Sequence, residues 1–335
     1  MCRNYSLRIA GILWFLLSLA QAAPPPPTAV LEDFGADPSS HGWRTFGDAR
    51  LFRWDSTNQN LEVTWDSSKS NSYYYLPLGQ TFDSEADFSV YFDLRLEDIA
   101  VGTTPGKPFT FQIAVAMMNF AQATSPGFLR GTGTNSPNLV EFDYFPDSGF
   151  GATISPTIIS SNGQFATTFN LFELTPGALY RVILRYDGDD GQYSTIMLRN
   201  GEPFGPIQRV MLGASFTGFS VDTLAICSYS DEGQDPEFGG SIRARGMIDN
   251  IMFLPANQGT LDMAMTGRIN TNGLWQVEFD AKAGWTYGLA RNEPTMPLLI
   301  INTVRADANG RLTLVDTNPP VANLRTYQLQ LIWAP

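Results

Sequence analysis

The chain has 335 residues, a formal net charge of −12, and side chains that are 16% charged and 13% aromatic. An acidic surface repels phosphate backbones and anionic headgroups, which argues against nucleic acid as a partner. One histidine and two cysteines supply no multi-histidine or Cys-x-x-Cys zinc centre, so any catalysis has to rest on carboxylates or tyrosines.

In chain order, the first element reads as an export signal. Arg3 and Arg8 make the N-terminus basic, residues 9–20 are apolar, and Ala20-Gln21-Ala22 places small residues around a cleavage point. Residues 1–23 are therefore expected to be a signal peptide and 24–28, with Pro24 to Pro27, a stiff proline-rich leader. The apolar stretch is shorter than the roughly 20 residues with which a helix crosses a bilayer. The expectation is a secreted or cell-surface chain, periplasmic if retained in a Gram-negative cell, with no membrane insertion after cleavage. Loss of the leader removes Cys2 and leaves Cys227 alone in the apolar run 224–227. A buried, inert thiol is expected there, and no intramolecular disulfide can form.

From residue 29 onward the pattern is that of strands. His41 sits in the polar turn Ser39-Ser40-His41-Gly42, and no G-x-S-x-G motif accompanies it, so it reads as a loop residue. Segment 88–96 places Phe88, Val90, Phe92, Leu94 and Leu96 on one face. Segment 109–117 does so with Phe109, Phe111, Ile113, Val115 and Met117, and segment 180–186 with Tyr180, Val182, Leu184 and Tyr186. Alternation with period two means that one face is buried while the other meets solvent or a second layer. Asn200-Gly201 marks a tight hairpin, and 187–191 a longer acidic one. No long window keeps a 3.6-residue period; even 84–87 reads as a turn. Ala256 to Gly259 looks like a linker between a domain over 29–256 and a small β domain over 257–335. Candidate strands in the latter are 274–279, 286–290, 298–303, 311–315 and 325–333.

The strongest polar constellation lies on one strand. Glu141 and Asp143 project from the face opposite Val140, Phe142 and Tyr144, because successive strand residues alternate. Two acids on one sheet face repel unless they are solvated, paired or bound to a cation. Arg181 and Arg185 are available as pairing partners on a neighbouring strand. Trp65, Tyr73 and Tyr75, near the Ser-rich turn 67–72, are candidate platforms for the apolar face of a sugar ring. Ordinary sheet packing is the simpler account of them, because aromatic residues favour strands.

Several segments in order resemble the concanavalin A-like jelly-roll superfamily of legume lectins, laminin-G-like modules and family 16 glycoside hydrolases. Val30 to Phe34 with Gly42-Trp43 resembles the opening strand; Pro176 to Asp187 followed by Asn200-Gly201 resembles a hairpin of the outer sheet. Ser241 to Ile251 resembles the last strand, which returns beside the first. The resemblance covers residues 28–256 and implies an all-β, two-sheet antiparallel jelly-roll sandwich, followed by a small C-terminal β-sandwich or sheet. On the lectin pattern, Glu141 and Asp143 would be side-chain ligands, Phe145 a carbonyl ligand and Asp147 a replacement for the usual asparagine, a set suited to calcium. The next aspartate and the histidine of that pattern fall at Ala152 and Thr157. On the glycosidase pattern Glu-x-Asp-x-x-Glu, the first two positions fit and the acid/base falls on Pro146, although retaining hydrolysis needs carboxyls about 5 Å apart. The C-terminal segment resembles small β modules that end secreted bacterial proteins.

The resemblance thus implies a secreted, non-catalytic protein that recognises an extracellular glycan or cell-surface component. Its expected ligand-binding residues are Trp65, Tyr73, Tyr75, Glu141 and Asp143, with calcium as the candidate cofactor. Two rival classes stay open: a polysaccharide hydrolase or lyase using Glu141 and Asp143, and a structural surface or matrix component.

Overall fold

A computed structural model describes residues 29–130, 135–234, 239–255, 265–293, 296–317 and 326–333. The expected signal peptide, the proline-rich leader and the linker at 256–259 lie outside the described residues.

The alternating segments assemble into two antiparallel sheets that share one core. The nine-stranded sheet runs in the order Glu202–Pro203, Gln192–Arg199, Tyr180–Asp187, Phe88–Val101, Ile242–Pro255, Asn60–Asp66, Phe52–Asp55; Val30–Glu32 and Gln208–Met211 join it at the side. The eight-stranded sheet runs Phe165–Thr167, Thr153–Ile159, Leu139–Phe145, Ile113–Met118, Ser220–Ser228, Ser72–Asp83, Arg44–Phe46, with Asn170–Leu171 beside Thr153–Ile159. Phe88, Val90, Phe92, Leu94 and Leu96 all point into the space between the sheets, as their spacing predicts. Phe92 meets Phe142 of the opposite sheet edge to face at 5.7 Å. Each such burial contributes roughly 1.5–3 kcal/mol. The first strand closes on the last, with Val30 opposite Phe253 and Glu32 opposite Ile251, which makes the two sheets a jelly-roll sandwich. Asn200 (φ 51°) and Gly201 (φ 87°) both adopt the left-handed conformation of a tight hairpin, as expected from that dipeptide.

Two expectations about strands change. Segment 109–117 is a strand only from Ile113, and Phe109 is exposed. Its first residues bond elsewhere: the Phe109 carbonyl accepts from the Ser241 N–H at 2.8 Å, and the Thr110 N–H donates to the Asp147 carbonyl at 3.0 Å. A further strand, Met265–Ile269, precedes the expected C-terminal set.

The C-terminal residues build two three-stranded antiparallel sheets. Met265–Ile269, Trp275–Ala281 and Gly310–Val315 form one; Met296–Arg305, Thr286–Glu293 and Thr326–Trp333 form the other. Val277, Phe279, Tyr287 and Leu289 fill the space between them. This small sandwich packs on the outer face of the nine-stranded sheet, where Tyr91, Ile183, Ile196, Leu198 and Met252 belong to the same apolar cluster. Arg185 reaches across to donate to the Gln330 side chain. The face left over by alternation on that sheet is thus covered by a second layer.

Candidate functional site

Strand Leu139–Phe145 buries Val140, Phe142 and Tyr144 in the core and turns Glu141 and Asp143 to the outer face of the eight-stranded sheet. In register, Glu141 stands between Ala116 and Thr157, and Asp143 between Ala114 and Ser155. Ala225 and Cys227 follow on the next strand, then Tyr75 and Tyr73. Small side chains next to the acids leave room above the sheet.

That room is filled from within the chain. After Met118, the short helix Phe120–Ala123 begins with Asn119 accepting from the Gln122 N–H. Its Phe120 stacks on Tyr75 at 4.2 Å, and the Tyr73 hydroxyl donates to the Ala123 carbonyl at 3.0 Å. The chain then delivers Arg130, whose side chain is only 4% exposed. Its Nε donates to Glu141 Oε1 and its Nη2 to Asp143 Oδ2, the latter at 2.9 Å. Tyr229, just past strand Ser220–Ser228, donates its hydroxyl to Glu141 Oε2 at 2.9 Å. Tyr229 lies edge to face with Tyr73 at 5.9 Å and beside Phe128. The guanidinium carbon sits 5.9 Å from the Phe165 ring.

Both carboxyl groups are 0% exposed. Burial, then the neighbouring Glu141, push the Asp143 carboxyl well above its usual range, against the opposing pull of Arg130. Among the described residues Asp143 Oδ1 has no hydrogen-bond partner, and a buried carboxylate oxygen left without one disfavours the charged form. Burial also pushes the Tyr229 hydroxyl and the Cys227 thiol well up. Cys227 is fully buried, in keeping with the inert thiol expected from its apolar strand.

The expected site residues do not gather into an open site. The acids pair with an arginine, but it is Arg130 from a connection, not Arg181 or Arg185 from the strand. Arg181 instead bonds Asp93. Calcium does not fit these residues, because the guanidinium already occupies the cation position between Glu141 and Asp143. Asp147 lies exposed beyond the strand end, accepting from the Gly149 N–H at 3.0 Å, and Phe145 stays in the sheet opposite Thr153. Among the described residues, no group of three or more His, Cys, Asp or Glu side chains can hold a metal ion. Trp65 is buried in the interior of the large sandwich and Tyr73 under the Phe120–Ala123 segment, so neither has a face for a sugar ring. Only Tyr75 keeps partial access, beside Phe120. His41 is not idle: its Nδ1 lies 2.9 Å from Oε2 of the buried Glu32.

Other side chains, passed over in the sequence, are presented to solvent. Phe150 is 88% exposed at a hairpin tip between Gly149 (φ 83°) and Gly151 (φ 110°). The Phe109 ring lies against Gly149 where a Cβ would stand at 2.9 Å, and Leu171 approaches Gly151. Phe169, two residues from Leu171, is also exposed. The signal was the sequence Gly149-Phe150-Gly151, an aromatic residue isolated between glycines in a turn.

No family model matches this chain, and no curated protein matches it. Solved structures similar to it include an alginate lyase, with a TM-score of 0.42 and 10% identity over 68% of this chain and 96% of that one. The Lotus tetragonolobus seed lectin is similar with a TM-score of 0.42 and 12% identity, over 68% of this chain and 98% of that one. Lectin II from Ulex europaeus follows at 0.43 and 9%, over 68% and 98%.

Proposed function

We propose that the chain is an exported, non-catalytic glycan-binding protein whose acid pair is an internal tie. The observation that carries this reading is the closure of Glu141 and Asp143 by Arg130 and Tyr229. A general acid or base has to come within hydrogen-bond reach of its substrate. These two carboxyls have no accessible surface, and three of their four oxygens accept from Arg130 or Tyr229. Contact with ligand is assigned instead to the exposed group Phe109, Phe150, Phe169 and Leu171. Exposed apolar clusters mark interaction sites, and aromatic rings suit the C–H faces of sugars. The net charge of −12 favours a neutral glycan over an anionic one. Export rests on residues 1–23, and among the described residues no helix is long and apolar enough to cross a membrane.

A glycan array probed with the intact chain and with Phe150→Ser tests this. Binding by the parent, weakened at least tenfold in the variant, is the expected result. Polysaccharide cleavage that disappears in Glu141→Gln would replace it with the hydrolase or lyase reading. No binding on the array, together with no cleavage, would leave the structural surface component.

A further inference from the structure

The small C-terminal sandwich holds a second, differently built site. Trp275 comes from one of its sheets and Tyr327 from the other. Their rings stack face to face with centroids 3.7 Å apart and planes within 4°. Gly267 makes room for this pair, since a Cβ there would come within 2.5 Å of the indole. Tyr327 is fixed from behind: its hydroxyl donates to Asp316 Oδ2 at 2.8 Å, and the buried Asp316 accepts from Arg291 Nη1 at 2.8 and 3.0 Å. Beside the rings, the turn at 270–274 is locked by Asn270 Oδ1, which accepts from the Asn272 and Leu274 N–H groups at 3.0 Å. Ile269, opposite Trp275 in register, is 71% exposed.

Ile269, Gly273, Trp275, Thr326 and Tyr327 line a cavity of about 490 Å³ that opens to solvent. Small-ligand sites span roughly 300–1,000 Å³ and combine apolar walls with a few polar groups. Among the described residues that line it none is charged, so a charged ligand gains no counter-charge from these side chains. An opening to water suits a molecule with one apolar face and many hydroxyls better than one that is apolar throughout. Walls held rigid before binding reduce the entropy lost on association.

We propose that this cavity binds a single neutral sugar ring, with Ile269 and the Trp275–Tyr327 pair against its C–H groups and the Thr326 hydroxyl on its polar edge. The site is separate from the exposed group around Phe150 and stands or falls without it. If both sites bind, one chain holds a glycan at two points, and the second contact becomes intramolecular.

Saturation-transfer NMR on the full chain tests the proposal, using glucose, galactose, mannose and N-acetylglucosamine with their short oligomers. At least one of these sugars should receive magnetisation at its ring protons. Ile269→Lys, at an exposed position that leaves the fold intact, should weaken that binding at least tenfold. Thr326→Lys provides a second obstruction at the other side of the cavity if the first variant misfolds. Every measurement is made in the Phe150→Ser background, so that sugar held at the Phe150 group does not supply the signal and failure here is distinguished from failure of that site. Absence of transfer to every sugar, or transfer that survives both lysine variants, overturns the assignment.

Discussion

The two outer faces of the large sandwich each carry a buried acid held by an arginine, and they are built in opposite ways. On the nine-stranded sheet, Arg181 and Asp93 are direct cross-strand partners, joined by two bonds of 2.7 and 2.6 Å. Asn250, at φ 49° beside an irregularity in strand Ile242–Pro255, adds a third bond to Asp93 at 2.9 Å. Arg181 meets Asp93 in a paired, planar geometry, with Asp249 opposite Asp93 on the next strand, and keeps 22% of its side chain exposed. On the eight-stranded sheet, a single Arg130 serves two acids and arrives from a connection rather than from a strand. The comparison teaches two ways for a cation to reach a sheet face: a strand sets Arg181 opposite Asp93, whereas a connection lays Arg130 over two acids, where burial and the neighbouring Glu141 push the Asp143 carboxyl well above its usual range.

The comparison predicts a ranking. Arg130→Met leaves Glu141 and Asp143 buried without their cation and should cost about 3–5 kcal/mol in urea unfolding. Arg181→Met should cost about 2 kcal/mol, because the partly accessible site lets water replace the lost bonds. Equal losses in the two variants would break the distinction between the faces. Asp143→Asn should change stability at neutral pH by about 1 kcal/mol or less, since burial already disfavours the charged form of that carboxyl. A loss as large as that of Arg130→Met would show that Asp143 is ionised.

The smallest effect is one of pH. Burial, with added repulsion from Asp93 and Asp33, raises Asp249 from 3.8 to about 6. Between those values the folded chain holds a proton that the unfolded chain has released, so this residue lowers stability as pH rises through the window. Asp249→Asn should flatten that part of the stability profile, measured by unfolding at several pH values from about 4 to 6. An unchanged slope would assign the dependence to other groups.

Much of the scaffold was legible from residue order. The period-two segments 88–96 and 180–186 carry their inward faces as read, and Asn200-Gly201 makes the tight turn, because both signals act over a few adjacent residues. The acid pair on strand Leu139–Phe145 was legible as well, since strand alternation alone sends Glu141 and Asp143 to the same side. Its partner was not. Arg130 sits in an aperiodic connection, where nothing local reports which strand it will cover. Arg181, in a regular strand, looked like the available cation, yet its position across from Asp93 follows from which strands become neighbours.

The same boundary runs through the whole molecule. By itself, the sequence determined that the chain is a set of short alternating strands and that Glu141 and Asp143 share a face. It also reduced the chemistry to carboxylates and tyrosines. Only the tertiary structure decided that Trp65 and Tyr73 are buried, that Arg130 and Tyr229 close over the acids, and that Ile183 and Met252 are roofed by the C-terminal sandwich. The reason is physical: alternation chooses a side of a sheet through local backbone geometry, whereas access to that side depends on residues that approach from distant parts of the chain.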